Sequence, residues 1–144
     1  MPPVLDPDLL AHLERHARTA AELAYAPYSK FHVGAALLLE PTPAHPHPPI
    51  LTGCNVENSS FRLTTCAEQT ALTRAVATFG PEIRLRALLV LNLANQPCQP
   101  CGACRQTIAE FADPETPIYF PDSHGALTHL TVAQLLPHSF CLAL

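Results

Sequence analysis

Apolar residues recur every three or four positions near the start of the chain, which is the spacing of one face of an α-helix. Asp6 and Pro7 precede them, and this pair is typical of a helix start because aspartate caps free N–H groups and proline suits the first helical position. Pro27 is predicted to end the helix, since proline disrupts helical hydrogen bonding. The apolar positions are Leu9, Leu10, Leu13, Ala17, Ala20, Ala21 and Ala24.

Continuous apolar runs bounded by turn-forming residues predict strands further along the chain. The predicted strands cover 31–39, 50–56, 85–93, 117–120 and 126–130. Further helices are predicted over 66–79, closed by Gly80, and from 102 to 113, with a last helical turn over 131–136. This order of elements predicts an α/β sandwich with a mixed sheet of about five strands. No repeat or linker divides the sequence, so we expect one domain spanning residues 1–144.

Histidines occur in two places where metal binding has to be weighed. His45 and His47 lie in the segment 41–49, whose five prolines exclude a helix or a central strand and favour an exposed hairpin connection. His12 and His16 are four residues apart on the first predicted helix, a spacing that can chelate a metal. We interpret His45 and His47 as residues of a solvated loop. His12 and His16 are far in sequence from the cysteine motifs, so we interpret them as a surface pair.

The charge of the chain limits its partners. It has 8 Lys and Arg residues in 144, a net charge of −4 and no basic run, so we expect no nucleic-acid partner. The first residues lack the basic start and apolar core of a signal peptide. No apolar stretch approaches the ~20 residues that a membrane span needs. We therefore expect a cytoplasmic protein with no membrane partner.

Three of the six cysteines have a spacing typical of metal binding rather than of disulfides. A catalytic zinc ion takes three protein ligands and keeps its fourth position for water. Cys101 and Cys104 share one face of a predicted first helical turn, and the start of a helix stabilises thiolates. With Cys66 at the start of another helix, they predict one zinc ion per chain.

Cys98 offers an alternative to this open site. With Cys66, Cys101 and Cys104 it would form a closed four-cysteine site, which would make the protein a zinc-stabilised binding module without catalysis. We favour the open site because Pro100 is predicted to end the segment that carries Cys98 and to point this side chain away.

Four segments resemble one enzyme family in the same order and at compatible spacing. They are YAPYSKFHVGAAL at 25–37, GCNVEN at 53–58, TCAEQTAL at 65–72 and PCGACRQ at 100–106. Together they resemble the small cytidine deaminases whose zinc ligands are all cysteines. The resemblance implies a three-layer α-β-α sandwich, a homotetramer, and zinc-dependent hydrolysis of cytidine and deoxycytidine to uridine and deoxyuridine in pyrimidine salvage.

The resemblance also implies roles for individual residues. Zinc nucleobase deaminases use a glutamate that moves protons without ligating the metal, and Glu68 takes this position. Taken alone, Thr65 and Glu68 fit a capping box, in which the glutamate only bonds back to the helix start. The nucleoside substrate is expected to contact Phe31, Asn55, Val56, Glu57 and Ala67, with Phe140 reaching toward a neighbouring subunit.

Gln69 departs from the family pattern, in which arginine usually follows the catalytic glutamate. Zinc with three thiolates carries a net negative charge, which a nearby cation would offset. Arg62 and Arg105 are the candidates for supplying that charge, and the sequence leaves the choice between them open.

Overall fold

Five strands form one mixed sheet in the computed structural model, which describes residues 4–142. The strands are β1 (Val33–Leu39), β2 (Leu51–Cys54), β3 (Leu85–Asn92), β4 (Pro117–Pro121) and β5 (Leu127–Thr131). Their order across the sheet is β2-β1-β3-β4-β5. Only β3 and β4 pair in parallel, with Leu88 opposite Ile118, and the other neighbours are antiparallel. The predicted mixed five-stranded sheet is confirmed.

Helices cover both faces of this sheet. They are α1 (Pro7–Glu22), α2 (Ala67–Phe79), α3 (Gly102–Phe111) and α4 (Val132–Leu135). Along β1, Ala36 and Leu38 pack in one cluster with α1, whereas Ala35 and Leu37 pack in the other with α2, α3 and α4. This alternation follows from the two-residue period of a strand. The result is the three-layer α-β-α sandwich that the family resemblance implies.

Two glycines let helix backbones approach the sheet closely. A Cβ atom on Gly34 would collide with the carbonyl oxygen of Ala17 in α1. A Cβ atom on Gly53 would lie 2.6 Å from the carbonyl oxygen of Ala67 in α2 and closer still to the nitrogen of Ala71. Gly53 in β2 therefore fixes how near the first turn of α2, which carries candidate site residues, lies to the sheet.

The first helix ends earlier than Pro27 predicts. Leu23 already caps α1 through the carbonyl oxygens of Ala20 and Ala21. The chain then leaves the helix because Tyr25 pairs with the segment after β2: its nitrogen donates to the carbonyl of Asn55, and its carbonyl accepts from the nitrogen of Glu57. Long-range backbone pairing thus takes precedence over the local helical pattern.

The proline-rich segment 41–49 connects β1 to β2, as predicted. A turn closes on itself through paired backbone hydrogen bonds between Thr42 and His45, both 3.0 Å. The His45 ring packs edge-on against Phe79 at the end of α2. Within residues 4–142, none of the helices has the length and apolar character needed to cross a membrane.

Candidate active site

The sulfur atoms of three cysteines converge at the start of two helices. Those of Cys66, Cys101 and Cys104 all lie within 4.8 Å of one another. The Cys66 and Cys101 sulfurs are 4.0 Å apart. Thiolates bound tetrahedrally to zinc, with Zn–S bonds of about 2.3 Å, lie about 3.8 Å from each other. The group therefore has the composition and spacing of a three-thiolate zinc site.

Helix starts supply the local electrostatics of this group. Cys66 is the N-cap of α2, and Cys101 is the N-cap of α3, so both residues lie at helix starts, where backbone N–H groups lack helical partners and favour negative charge. A hydrogen bond from the Cys104 thiol lowers the pKa of Cys66 to about 7. The same hydrogen bond raises the pKa of Cys104, and burial raises it further. Cys66 thus becomes a thiolate more readily than Cys104.

Glu68 lies in the first turn of α2, beside the three sulfurs, with only 4% of its surface exposed. Burial raises the pKa of its carboxyl group, and a hydrogen bond from Cys104 partly offsets this. A raised pKa makes a carboxyl group a stronger proton acceptor, which suits a group that takes up a proton and later returns it.

The sequence pattern indicates a capping box formed by Thr65 and Glu68, but the capping box of α2 is formed by the residues that follow each of them. Cys66, rather than Thr65, is the N-cap, and Gln69 is the residue whose side chain returns to it. The Gln69 Oε1 atom accepts from the Cys66 backbone nitrogen at 3.4 Å. The capping role considered for Glu68 therefore belongs to Gln69.

A cavity of about 280 Å³ opens in front of these groups. Glu68, Cys66 and Cys101 form one part of its wall, and Cys104 lies buried behind them. The remaining wall contains Ser29, Phe31, Val33, Asn55, Glu57, Thr64, Ala67, Cys98 and Gln99. The fold thus brings four of the five predicted substrate-contacting residues to one cavity with the cysteines.

Three comparisons with known proteins agree with this geometry. The family model for the zinc-binding region of cytidine and deoxycytidylate deaminases matches residues 9–120. A cytidine deaminase of Sporosarcina psychrophila is 46% identical over 86% of this chain and 85% of its own. The crystal structure of a cytidine deaminase from Mycobacterium tuberculosis superposes with a TM-score of 0.78 at 37% identity, covering 95% of this chain and all of that one. That from Burkholderia pseudomallei gives a TM-score of 0.77 at 38% identity, covering 90% of this chain and 98% of that one.

The chain belongs to the cytidine and deoxycytidylate deaminase family. The matching region of this family binds zinc, and the three-cysteine group of this deaminase offers the donor set that zinc prefers. Zinc is therefore the metal of the site.

Asn55 is tied to the backbone of this deaminase more tightly than its sequence position indicates. Its Nδ2 atom donates to the carbonyl of Phe31 at 2.8 Å, and its Oδ1 atom accepts from the nitrogen of Val33 at 2.9 Å. The side chain thereby continues the hydrogen bonding between β1 and β2 beyond the end of β2, and it holds Phe31 at the cavity. Asn55 keeps one N–H and one oxygen lone pair for a ligand.

Glu57 holds the loop that precedes β1. Its carboxylate accepts hydrogen bonds from the backbone nitrogens of Tyr28 at 3.0 Å and Ser29 at 3.2 Å, and from the Ser29 hydroxyl. The Ser29 Oγ atom in turn accepts from the nitrogen of Phe31 at 3.0 Å. The Ser29 hydroxyl is the main cause of the lowered pKa of Glu57. The carboxylate is therefore ionised and held in place at the cavity wall.

Ser29 is a site residue that the sequence interpretation missed. A serine hydroxyl that accepts from the backbone two residues later is a recognisable local pattern, and Ser29 followed by Phe31 has that spacing. Its contact with Glu57 joins residues 28 positions apart and leaves no such local signal.

Val56 lies elsewhere than its neighbours. It is not among the described residues that line the cavity, and 42% of its surface is exposed. Its backbone bridges Tyr25 on one side and Thr65 on the other. Because Asn55 and Glu57 point to one side of this extended segment, Val56 between them points to the opposite side.

Cys98 is outside the three-sulfur group, as the open-site interpretation requires. The side chain nevertheless lines the same cavity, so the expectation that Pro100 points it away from the site is wrong. The reason is that the preceding loop folds back: Asn92 Nδ2 donates to the carbonyl of Gln96 at 2.7 Å, and its Oδ1 accepts from the nitrogen of Gln96 at 3.1 Å. Burial raises the pKa of Cys98 to about 11, so it stays a thiol.

Arg105 is committed to two carbonyl groups. Its Nε atom donates to Pro100 at 2.8 Å, and its Nη1 atom donates to Leu135 in α4 at 3.0 Å. Arg62 is exposed on a short 3₁₀ helix, Phe61–Leu63. Arg105 thus fixes the turn that precedes Cys101 and ties it to the last helix.

Proposed function

We propose that this deaminase hydrolyses cytidine and deoxycytidine to uridine and deoxyuridine, releasing ammonia, as a step of pyrimidine salvage. The observation that carries the proposal is the convergence of three cysteine sulfurs and the buried Glu68 carboxyl group on the wall of one cavity. A metal position and a proton carrier beside a small cavity are the parts that hydrolytic deamination of a base needs.

Cys66, Cys101 and Cys104 would hold the zinc ion. When bound there, zinc would supply Lewis acidity and lower the pKa of the water that attacks C4 of the base. Three protein ligands would leave zinc one open coordination position for a water molecule.

Glu68 carries the protons in this proposal. It accepts a proton from the attacking water and delivers it to N3 of the ring, which allows C4 to become tetrahedral. It then takes the proton of the new hydroxyl group at C4 and passes it to the amino group, so that the C4–N bond breaks, ammonia leaves and the C4 carbonyl of uridine remains. Burial beside the sulfurs suits both steps, because it keeps the carboxyl group away from bulk water.

The other cavity residues hold the nucleoside. Phe31 and Ala67 both line the cavity. In this proposal Phe31 offers an aromatic surface to the base, and the backbone of Ala67 contacts the base. Asn55 and Glu57 offer one donor and acceptors to the sugar hydroxyls. The sequence resemblance also assigns Val56 to this set, and its place between these two residues limits its part to the backbone.

We further propose that residues 1–144 form one catalytic domain that assembles as a homotetramer in the cytoplasm. Phe61 and Leu63, on the short helix just before Cys66, have 83% and 65% of their surfaces exposed. Phe140 has 70% of its surface exposed near the other end of the chain. Association of copies would cover this apolar surface. A reducing compartment would keep the site cysteines available for zinc.

The experiment that tests the function is a comparison of cytidine, deoxycytidine and free cytosine as substrates of the zinc-loaded protein. The loss of cytidine absorbance is followed, and ammonia is measured independently. We expect kcat/KM for either nucleoside to exceed that for cytosine by a factor of about 10⁴, because a site built to bond a sugar leaves polar groups unpaired with the bare base. Equal values for cytosine and cytidine, or no turnover with one zinc per chain, would contradict the proposal.

A further inference from the structure

Two histidines of α1 lie close together on the side of the helix that is next to the edge strand β2. The Nε2 atoms of His12 and His16 are 3.0 Å apart, a hydrogen-bonding distance when one of them carries a proton, and the ring centroids are 4.7 Å apart. Residues four apart on a helix lie on one face, one turn above the other, so the helix itself holds the pair in place. The α1 helix covers the face of the sheet opposite α2 and α3, so this pair is separate from the three-cysteine group.

The spacing matches that of two neighbouring ligands on one metal ion. With metal–nitrogen bonds of about 2.0–2.1 Å, two ligands lie about 2.9 Å apart at a right angle and about 3.4 Å apart at the tetrahedral angle. The observed 3.0 Å falls within this interval. One α1 helix therefore presents two imidazoles near the geometry for two-point chelation.

The surroundings of the pair leave room for an ion and its waters. A cleft of about 390 Å³ opens over both rings, between α1 and the edge strand β2, with Arg15, Leu23 and Thr52 among its lining. None of the described residues that line it carries a carboxylate. Magnesium and calcium prefer carboxylate and carbonyl oxygens, whereas imidazole suits copper, nickel and zinc.

Arg15 lines the same cleft and carries a positive charge. This charge repels a cation, so we expect the pair to bind a metal ion less tightly than two histidines alone would.

We infer that His12 and His16 form a second metal site, which binds a borderline divalent transition ion such as nickel or zinc through both Nε2 atoms. The remaining coordination positions face the cleft and are filled by water. Because the ion joins two successive turns, its binding stabilises α1 and with it one face of the sheet.

Nickel is the probe that tests this site, because copper would oxidise cysteine thiols. The untagged protein is loaded with zinc at its cysteine site, and nickel chloride is titrated into it calorimetrically while the zinc content is checked. We expect one equivalent of nickel to bind without release of zinc. The single variants His12→Ala and His16→Ala are each expected to bind nickel at least tenfold more weakly. His138→Ala removes another exposed histidine and is expected to leave nickel binding unchanged.

Two further measurements locate the bound ion. Paramagnetic nickel is expected to broaden the amide resonances of residues 9–19 in α1 and to leave those around Cys66 sharp. Saturating nickel is expected to raise the melting temperature of the native chain by about 3 °C, a shift that follows from about 1 kcal/mol in a chain of this size, and not to raise that of either single variant.

The outcomes separate the site from its alternatives. Undiminished binding in either single variant would overturn the inference, because a lone histidine would then suffice. Broadening centred on another histidine or on the cysteine site would overturn it as well. Binding of inorganic phosphate at this cleft in place of nickel would show an anion site and overturn the assignment.

Discussion

The Oε1 atom of Gln69 lies 3.4 Å from the backbone nitrogen of Cys66 and accepts its hydrogen. This contact closes the first turn of α2 from within the turn itself. It also means that the neighbouring Glu68 is not needed to cap the helix, and that its buried carboxyl group is available to the cavity.

We expect Glu68→Gln to retain its fold and one zinc per chain and to lose most of its turnover. The amide is nearly the same size but cannot carry a proton, and general acid–base catalysis contributes about 10²–10⁴-fold to a rate. A loss of about 10³ in kcat, or about 4 kcal/mol of barrier, is the expected magnitude. Steady-state kinetics on the zinc-loaded variant measures it. Glu22→Gln, at an exposed position at the end of α1, serves as the matched control. Near-normal turnover of the Glu68 variant would show that this carboxyl group is not the proton carrier.

Removal of Cys98 is expected to leave the zinc in place. Its sulfur is outside the group of three, although the side chain lines the same cavity. Metal analysis should give one zinc per chain for Cys98→Ala and a large loss of zinc for Cys104→Ala, which removes a buried member of the group. Loss of zinc from the Cys98 variant would instead support the closed four-cysteine site.

The contact between Ser29 and Glu57 predicts a specific pH behaviour. The pKa of Glu57 is lowered below its ordinary value of 4.5, chiefly by the Ser29 hydroxyl. Above pH 4.5 the carboxylate of Glu57 is therefore ionised and holds the loop that precedes β1. This contribution to stability is lost only as the pH falls through the lowered pKa that Glu57 has in the folded protein.

We expect Ser29→Ala to move the pKa of Glu57 upward toward 4.5, because the main stabilising hydrogen bond is lost. The carboxyl carbon shift of Glu57, followed by NMR against pH, measures the change. KM for cytidine should rise in this variant more than kcat falls, since the Ser29 hydroxyl also holds the nitrogen of Phe31. Ser123→Ala, in the exposed turn between β4 and β5, is the control. An unmoved Glu57 titration would contradict this account.

A side chain at Gly53 is expected to destabilise the protein and distort the site together. The added Cβ would lie 2.6 Å from the Ala67 carbonyl and closer to the Ala71 nitrogen, so α2 would have to move away from β2. Overpacking of this kind costs about 1–3 kcal/mol of unfolding free energy. Denaturant unfolding of Gly53→Ala measures the cost. At Gly102 a Cβ would meet nothing within 4 Å, so Gly102→Ala should unfold like the native chain. Equal stability of the two variants would show that the contact between α2 and β2 is not tight.

Arg105 is expected to matter as a structural tie rather than as a charge beside the thiolates. Its two hydrogen bonds to Pro100 and Leu135 need the forked guanidinium group, which lysine cannot reproduce. We expect both Arg105→Lys and Arg105→Gln to lose about 2 kcal/mol of unfolding free energy. Arg62→Gln, at an exposed position, should lose little. If Arg105→Lys kept both the unfolding free energy and the kcat of the native protein, the positive charge rather than the hydrogen-bonding geometry would be the important property.

Much of the fold could be predicted because its signals are local. Asp6 and Pro7 begin α1, and Gly80 closes α2, at the positions that their capping chemistry predicts. The ends of all five strands lie within two residues of the ends that the apolar runs predict. The end of α1 was missed because Tyr25 leaves the helix for a backbone partner 30 residues away, Asn55.

The site likewise contains residues that local sequence patterns indicate and contacts that only the fold reveals. The three cysteines could be predicted as a metal site, because their spacing indicates which ligands a metal would have and the helix starts bring them together. Glu68 lines the same cavity, and its proton-carrying role rests on the family resemblance. The links from Glu57 to Ser29 and from Arg105 to Leu135 join distant segments through single side chains. No periodicity or spacing in the sequence marks such links, so only the folded arrangement reveals them.

Strand β3 separates the two cysteine groups in sequence and is also the middle strand of the sheet. We expect Cys66 and Cys101 to reach the spacing of a zinc site only after this strand has paired in the sheet, because contacts between distant segments wait for the loops between them to close. The rate at which the three-cysteine site takes up zinc during refolding should then follow the rate at which the core assembles.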